Sequence, residues 1–188
     1  LAQIDPNGNC TNGIDRIVTT KTVLADDGAK LNPWANNKYL NIWVARSLAN
    51  SGAAAYAYLP GTASNNVDGV LALYSYVGSI GQSSDLNSRT LTHECGHCLN
   101  LEHCWGNTNS PGVACGDDGV SDTPITMGFT SCNLTASVCN PPIIENAQNY
   151  MDYSYCTTMF TQGQVARMQA ALNSTASGRN NLWKAANL

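Results

Sequence analysis

The stretch His93-Glu94-Cys95-Gly96-His97-Cys98-Leu99-Asn100-Leu101-Glu102-His103 holds all three histidines of the chain. They stand at i, i+4 and i+10, with a glutamate directly after the first. In a helix, residues four positions apart lie about 40° apart around the axis and one turn apart along it. His93 and His97 can therefore point at one ion, and His103 must reach it from beyond the helix end, after a sharp turn. This is the donor set of a three-histidine catalytic zinc site whose fourth position stays open to water. Glu94 cannot readily ligate the same ion as its neighbour His93, but it can reach that water. It is the candidate general base, passing the proton on to a leaving amine. The chemistry implied is metal-assisted hydrolysis of a peptide bond.

A helix must carry this motif, and its two faces separate by residue type. At roughly 100° per residue from His93, Leu91, Cys95, Cys98 and Leu99 fall between roughly 140° and 240°, away from His93, Glu94, His97 and Asn100. One face is apolar and the other carries the donors. A rival reading is a structural zinc site with Cys95 and Cys98 as a C-x-x-C pair, but those thiols point away from the imidazoles. The blandest reading is three surface histidines on an ordinary helix. Gly96 leaves room for something to approach the helix closely. Asn100 sits where the chain must leave it, and Asn is among the few residues that tolerate the left-handed region.

The remaining elements follow from pattern. Ile14 to Thr20 reads as a short strand, and Tyr39 to Ala45, with Ile42, Trp43 and Val44, as a buried strand. Ala53 to Tyr58 is strand or loop. Val70 to Val77 is a strand bounded by Gly69 and Gly78, expected to be the edge strand that lines the cleft and pairs with extended substrate. Ser88 or Thr90 opens the motif helix. Residues 104–149 show little periodicity, and a loop of that length is normally functional or pinned. Cys115, Cys132, Cys139 and Cys156 are available to pin it. Thr161-Gln162-Gly163-Gln164 fits a capping box, and Val165, Met168, Ala171 and Leu172 give the stripe of a final helix.

Composition bounds the setting. The 188 residues suffice for one domain with a sizeable core. Only 12% are charged and the net charge is −4; with no basic patch, nucleic acid is not expected as a partner. No apolar run approaches a transmembrane span. Eight cysteines and a surface rich in Asn, Ser and Thr suit an oxidising, extracellular compartment. The chain opens at Leu1 with neither a methionine nor a signal-peptide pattern, as a processed or excised piece of a longer precursor would. Asn9, Asn133 and Asn173 open glycosylation sequons.

A second motif, Asn149-Tyr150-Met151-Asp152-Tyr153, follows the long loop. Together the two motifs resemble the metzincin metallopeptidases, whose H-E-x-x-H-x-x-G-x-x-H is followed by a methionine turn. Asn100 stands where that family has glycine. The resemblance implies that Met151 forms a hydrophobic floor beneath the zinc and that Tyr153 stabilises the tetrahedral oxyanion. Within the metzincins the chain is similar to the pappalysin family, its ulilysin-like and secreted bacterial members included. The residues that carry this are Leu99-Asn100-Leu101, His103, Trp105-Gly106, the run Gly116 to Pro124, and Asn149 to Ser154. By resemblance the long loop is pinned by crossed disulfides Cys115–Cys139 and Cys132–Cys156. The family also binds calcium there, which maps to Asp117, Asp118, the Val120 carbonyl, Asp122 and Thr123, the hard oxygens Ca²⁺ prefers.

Three departures qualify the resemblance. Ulilysin-like enzymes read arginine or lysine after the scissile bond with an acidic residue shortly after the methionine-turn tyrosine; here Ser154-Tyr155-Cys156 carries no carboxylate. The family's first strand and long backing helix have no counterpart before residue 90, so the chain is a fragment or has lost them. No propeptide cysteine is present, so the mature form is expected. Cys95 and Cys98 read most simply as small buried apolar residues, with an i, i+3 disulfide between them as the alternative. A Cys10–Cys104 bridge is one option for the other two, and the sequence leaves the pairing of all four open.

The expectation is an α+β, metzincin-type fold in a single catalytic domain, 1–188. A twisted mixed sheet and the active-site helix form a lobe over 1–103. A loop-rich lobe over 104–188 ends in a helix, with a cleft between. The function expected is a secreted, monomeric zinc endopeptidase acting on protein or peptide substrates, with structural calcium and no membrane partner. The alternative is a catalytically inactive zinc and calcium domain used for binding.

Overall fold

Val70, Leu71, Ala72 and Leu73 alternate between two packed surfaces, and this strand organises the first half of the molecule. The computed structural model describes residues 1–184. Strand β1 (Ile42–Ala45) pairs in parallel with one side of β3 (Val70–Leu73), and β2 (Ala55–Tyr56) pairs antiparallel with the other. Val70 and Ala72 pack with Cys98 and Leu91 of the motif helix. Leu71 points to the opposite face, against Ala25, Ala45 and Leu48. A strand covered on both faces reads as a continuous apolar run, as this one does.

The helices follow with short joints. α1 (Asp85–Ser88) is a single turn capped by Ser84, and α2 (Thr90–Cys98) continues from it through Arg89. α3 (Gln162–Leu172) opens with a capping box in which Thr161 accepts from the Gln164 backbone and the Gln164 side chain accepts from Thr161. That reciprocal pair satisfies two otherwise orphaned donors.

Several sequence expectations are corrected. Ile14 to Thr20 forms no strand; Ile14, Ile17 and Val18 are exposed, so no core holds the segment extended. β1 is shorter than Tyr39 to Ala45 and is buried on one face only: Trp43 and Ala45 pack into the core, while Ile42 and Val44 are 42% and 48% exposed. They share the α2 side of the sheet, but α2 covers β3 and β2 and stops short of β1. Extended structure also ends at Leu73, where Tyr74–Tyr76 turns into a 3₁₀ segment. β3 is the central strand, so the edge that borders the cleft is β2 and its flanks.

A buried lysine holds that edge. Lys30 Nζ donates to the Val67 carbonyl at 2.7 Å, pairs with Asp27 at 3.0 Å, and lies 4.6 Å and 4.8 Å from the Tyr56 and Tyr58 rings. Both tyrosine hydroxyls donate to Asp27. Such a cation–π cage with satisfied donors fixes a side chain that burial alone would expel.

The second half has its own core of Leu101, Cys104, Trp105 and Met151, with Phe160 and Met168 packed on it. Two disulfides clamp its long loop, Cys115–Cys139 and Cys132–Cys156, each spanning 24 positions. In the chain-entropy model each contributes about 3 kcal/mol. Glu145 supplies a second clamp: its buried carboxylate accepts from Thr126, Met127, Val138 and Cys139. Cys10 and Cys104 are not joined; Cys10 is exposed and Cys104 is buried in the core. An ion pair of Arg179 with Asp68, at 2.7 and 2.8 Å, ties the C-terminal segment to the sheet. The same guanidinium donates to the Cys98 carbonyl at the end of α2.

Candidate metal centre

α2 ends in a Schellman motif, and this turn delivers the third histidine. The Leu101 N–H donates to the Gly96 carbonyl and the Asn100 N–H to the His97 carbonyl, each at 2.9 Å. Asn100 takes the left-handed position with φ 72°, the place usually filled by glycine. Leu101 then packs inward, fully buried, and the chain reverses to bring His103 back toward the helix.

The three imidazoles converge. His97 Nε2 lies 3.1 Å from His93 Nε2 and 3.2 Å from His103 Nε2. Each opposite ring nitrogen meets a backbone carbonyl: His93 Nδ1 to Tyr150 at 2.7 Å, His97 Nδ1 to Leu101 at 2.7 Å, and His103 Nδ1 to Thr108 at 2.8 Å. A carbonyl only accepts, so each Nδ1 carries the proton and each Nε2 presents a bare lone pair. Three lone pairs aimed at one point repel unless a cation lies between them. Tetrahedral ligands ~2.0–2.1 Å from one zinc ion stand about 3.3 Å apart, close to the separations found. The donor set therefore fits zinc. Burial, with the neighbouring histidines, holds His93 well below the usual histidine range. Burial lowers His97, and burial with His97 takes His103 down to about 3. All three are neutral at pH 7, the form that ligates.

Glu94 lies beside the trio with its carboxylate 5% exposed and Oε2 without a partner. Burial alone raises it to about 8; a cation held by the imidazoles would draw it back toward the ionised form that a base requires. An orphaned carboxylate oxygen in a cleft is costly unless something else occupies the site. Beneath the helix, Met151 is fully buried, and a β-carbon on Gly96 would collide with its sulfur. The turn that carries Met151 is fixed by Asn149, whose Oδ1 accepts from Met151 N and whose Nδ2 donates to Gln164. Tyr153 stands over the trio, its ring centroid 5.5 Å from His93 and 4.9 Å from His103. Burial, then Glu94, pushes its phenol up to about 12, so it stays a proton donor. Its hydroxyl lies 3.3 Å from Asn109 Oδ1. A cleft of about 710 Å³ is lined by the three histidines, Glu94 and Tyr153 and runs along Ala53 to Ala57.

Trp105, known from the sequence only as a residue of the family resemblance, packs against His103 and positions it. Its ring stacks on His103 at 4.7 Å and 5°, and its Nε1 shares the Thr108 carbonyl with His103 Nδ1. An aromatic two residues after the last histidine was the available signal. The cysteines of the helix are not donors here: Cys98 is buried against β3 and Cys95 is half-buried. Among the described residues, the histidines are the one group of three or more His, Cys, Asp or Glu whose donor atoms lie within 4.8 Å of one another.

The residues expected to hold calcium are not gathered in that way. Asp117 accepts from Gly119 N. Asp118 accepts from Val120 N and from Gln164 Nε2. Asp122 accepts from Gly163 N, in the first turn of α3. Short carboxylates bond nearby backbone N–H groups readily, and these three serve as turn and helix caps. Thr123 differs, with a buried Oγ1 that has no partner.

Comparison with known proteins places this geometry. The family model described as Peptidase M43, pregnancy-associated plasma protein-A, matches residues 23–173. An extracellular metalloprotease of Colletotrichum graminicola is 36% identical over 144 residues, covering 71% of this chain and 49% of that protein. One from Arthroderma benhamiae is 37% identical over 109 residues, covering 55% of this chain and 36% of its own length. The chain thus spans between a third and a half of these curated relatives. Mature mirolysin of Tannerella forsythia, solved in complex with a cleaved peptide, superposes with a TM-score of 0.84 at 34% identity, over 99% of this chain and 74% of its own. Since that family model matches residues 23–173, most of this chain's length, the chain belongs to the pappalysin family of metallopeptidases, Peptidase M43.

Proposed function

We propose that this chain is the catalytic domain of a secreted zinc endopeptidase. The observation that carries the reading is the pairing of three convergent bare Nε2 atoms with the partnerless Glu94 carboxylate beside them. His93, His97 and His103 would hold the ion. A zinc ion there supplies a Lewis acid that polarises the scissile carbonyl and brings the pKa of water in the open position toward neutrality.

The chain's own groups account for the rest. Glu94 takes a proton from the attacking water as the new C–O bond forms, and delivers it to the amine as the C–N bond breaks. The Tyr153 hydroxyl, kept protonated, donates to the oxyanion of the tetrahedral intermediate, where a well-aimed donor is a large catalytic contribution. The free edge beside β2 aligns an extended peptide by backbone pairing. The mirolysin relative was solved with a cleaved peptide, which supports a peptide in the corresponding cleft.

Secretion is supported by the extracellular names of the relatives and by two disulfides. Among the described residues no helix is long and apolar enough to cross a membrane. Structural calcium is supported by the partnerless Thr123 hydroxyl and by Asp118, which burial raises above the usual carboxylate range. We also propose that the two lobes act as one monomeric catalytic domain. Cleavage of an unstructured protein such as casein, abolished by a chelator and restored by zinc, tests the reading. Zinc binding without any cleavage would favour a domain used only for binding.

A further inference from the structure

The cleft wall carries a cation that nothing in it neutralises. Arg89 lies one helical turn before His93 and lines the same cleft, together with Thr130, Asp152, Ser154 and Thr157. One guanidinium nitrogen, Nη1, donates to the Thr157 carbonyl, which fixes the side chain and leaves further N–H donors of its five free. Among the described residues the ion pairs are Lys30–Asp27 and Arg179–Asp68, so Arg89 has no carboxylate partner.

The other charged groups of the cleft do not offset it. Asp152 is 3% exposed, and its oxygens accept from Phe129 N at 3.2 and 3.3 Å and from Ser154 N at 2.8 Å. It faces the backbone that it holds. Glu94 stands next to the imidazoles, where the peptidase reading needs it. The segment after Tyr153, Ser154-Tyr155-Cys156, brings no carboxylate. A lysine or arginine seated here would meet a like charge without a counter-ion, whereas a carboxylate would meet a fixed, half-buried guanidinium, the geometry suited to charge-assisted bonds.

Resting on the peptidase reading, we propose that Arg89 makes this a peptidase for acidic sites, accepting Asp or Glu beside the scissile bond and rejecting Lys and Arg there. The test is a peptide library varied on both sides of the cut, digested by the zinc-loaded protein and its Arg89 variants, with kcat/KM compared for Glu and Lys at each flanking position. At one position Glu should exceed Lys by about tenfold or more, the size of one hydrogen bond to a charged group. Arg89→Gln should collapse that ratio, and Arg89→Lys, which keeps the charge, should retain most of it. A mere folding defect would lower both substrates together and leave the ratio unchanged. A preference for Lys or Arg, or a ratio indifferent to Arg89→Gln, would overturn the inference alone. Failure to cut any member would overturn the peptidase reading, and the inference with it.

Discussion

The sulfur of Met151 occupies the space that a β-carbon on Gly96 would need. The helix that carries two of the imidazoles thus rests on the methionine turn with no side chain between them. Gly96→Ala should cost stability although alanine is the better helix former. The added methyl must displace a fully buried side chain, and overpacking of this kind costs about 1–3 kcal/mol. Denaturant midpoints check this. Met151→Ala in the same chain should recover part of the loss.

At Asn100 the backbone φ of 72° is the constraint, and the side chain matters only because it tolerates that φ. Asn100→Gly should be neutral or slightly stabilising. Asn100→Ala should cost about 1 kcal/mol, because alanine keeps the β-carbon but lacks the short polar side chain that eases asparagine into the left-handed region. The alanine variant should also bind zinc more weakly, because the same turn aims His103. Equal zinc affinity in the two variants would sever that link.

For calcium the expectation is a rise in thermal midpoint with millimolar CaCl₂, since a ligand that binds only the folded state stabilises it by mass action. Asp118→Asn should blunt the response. No response in the wild-type protein would leave Asp117, Asp118 and Asp122 as the backbone caps described above.

Asp152 gives a pH signature. Burial raises its carboxyl to about 7 from an ordinary 3.8, so the folded chain holds a proton that the unfolded chain has released. The stability this group contributes is complete below about pH 4 and is lost as pH climbs through 7. Asp152→Asn has no such proton. Its stability relative to wild type should therefore improve steadily between pH 4 and 7, as read from urea midpoints. A constant difference across that range would mean that the Asp152 carboxyl titrates normally.

Local chemistry made part of this molecule legible from sequence. The i, i+4 histidines, the asparagine at the helix end and the Thr161–Gln164 capping box each act within a turn or two of chain, and each has the geometry its spacing implies. The disulfide partners came from the family resemblance, since spacing alone leaves the pairing of eight cysteines open. What sequence left out depends on contacts distant along the chain. β3 reads like an edge strand until β1 and β2 are seen on either side of it. Ile14 to Thr20 has strand-like residues, yet Ile14, Ile17 and Val18 stay exposed and no ladder forms. The Lys30 cage joins Asp27 to Tyr56 and Tyr58, and the Glu145 clamp gathers donors from across the long loop. Neither has a local pattern to find.

Glu94→Gln tests the central claim most directly. The substitution keeps the shape of the side chain and removes the base. The account predicts that the variant still binds one zinc per chain while casein turnover falls by about a thousandfold, within the range for loss of a general base. Zinc bound normally together with wild-type turnover would contradict it.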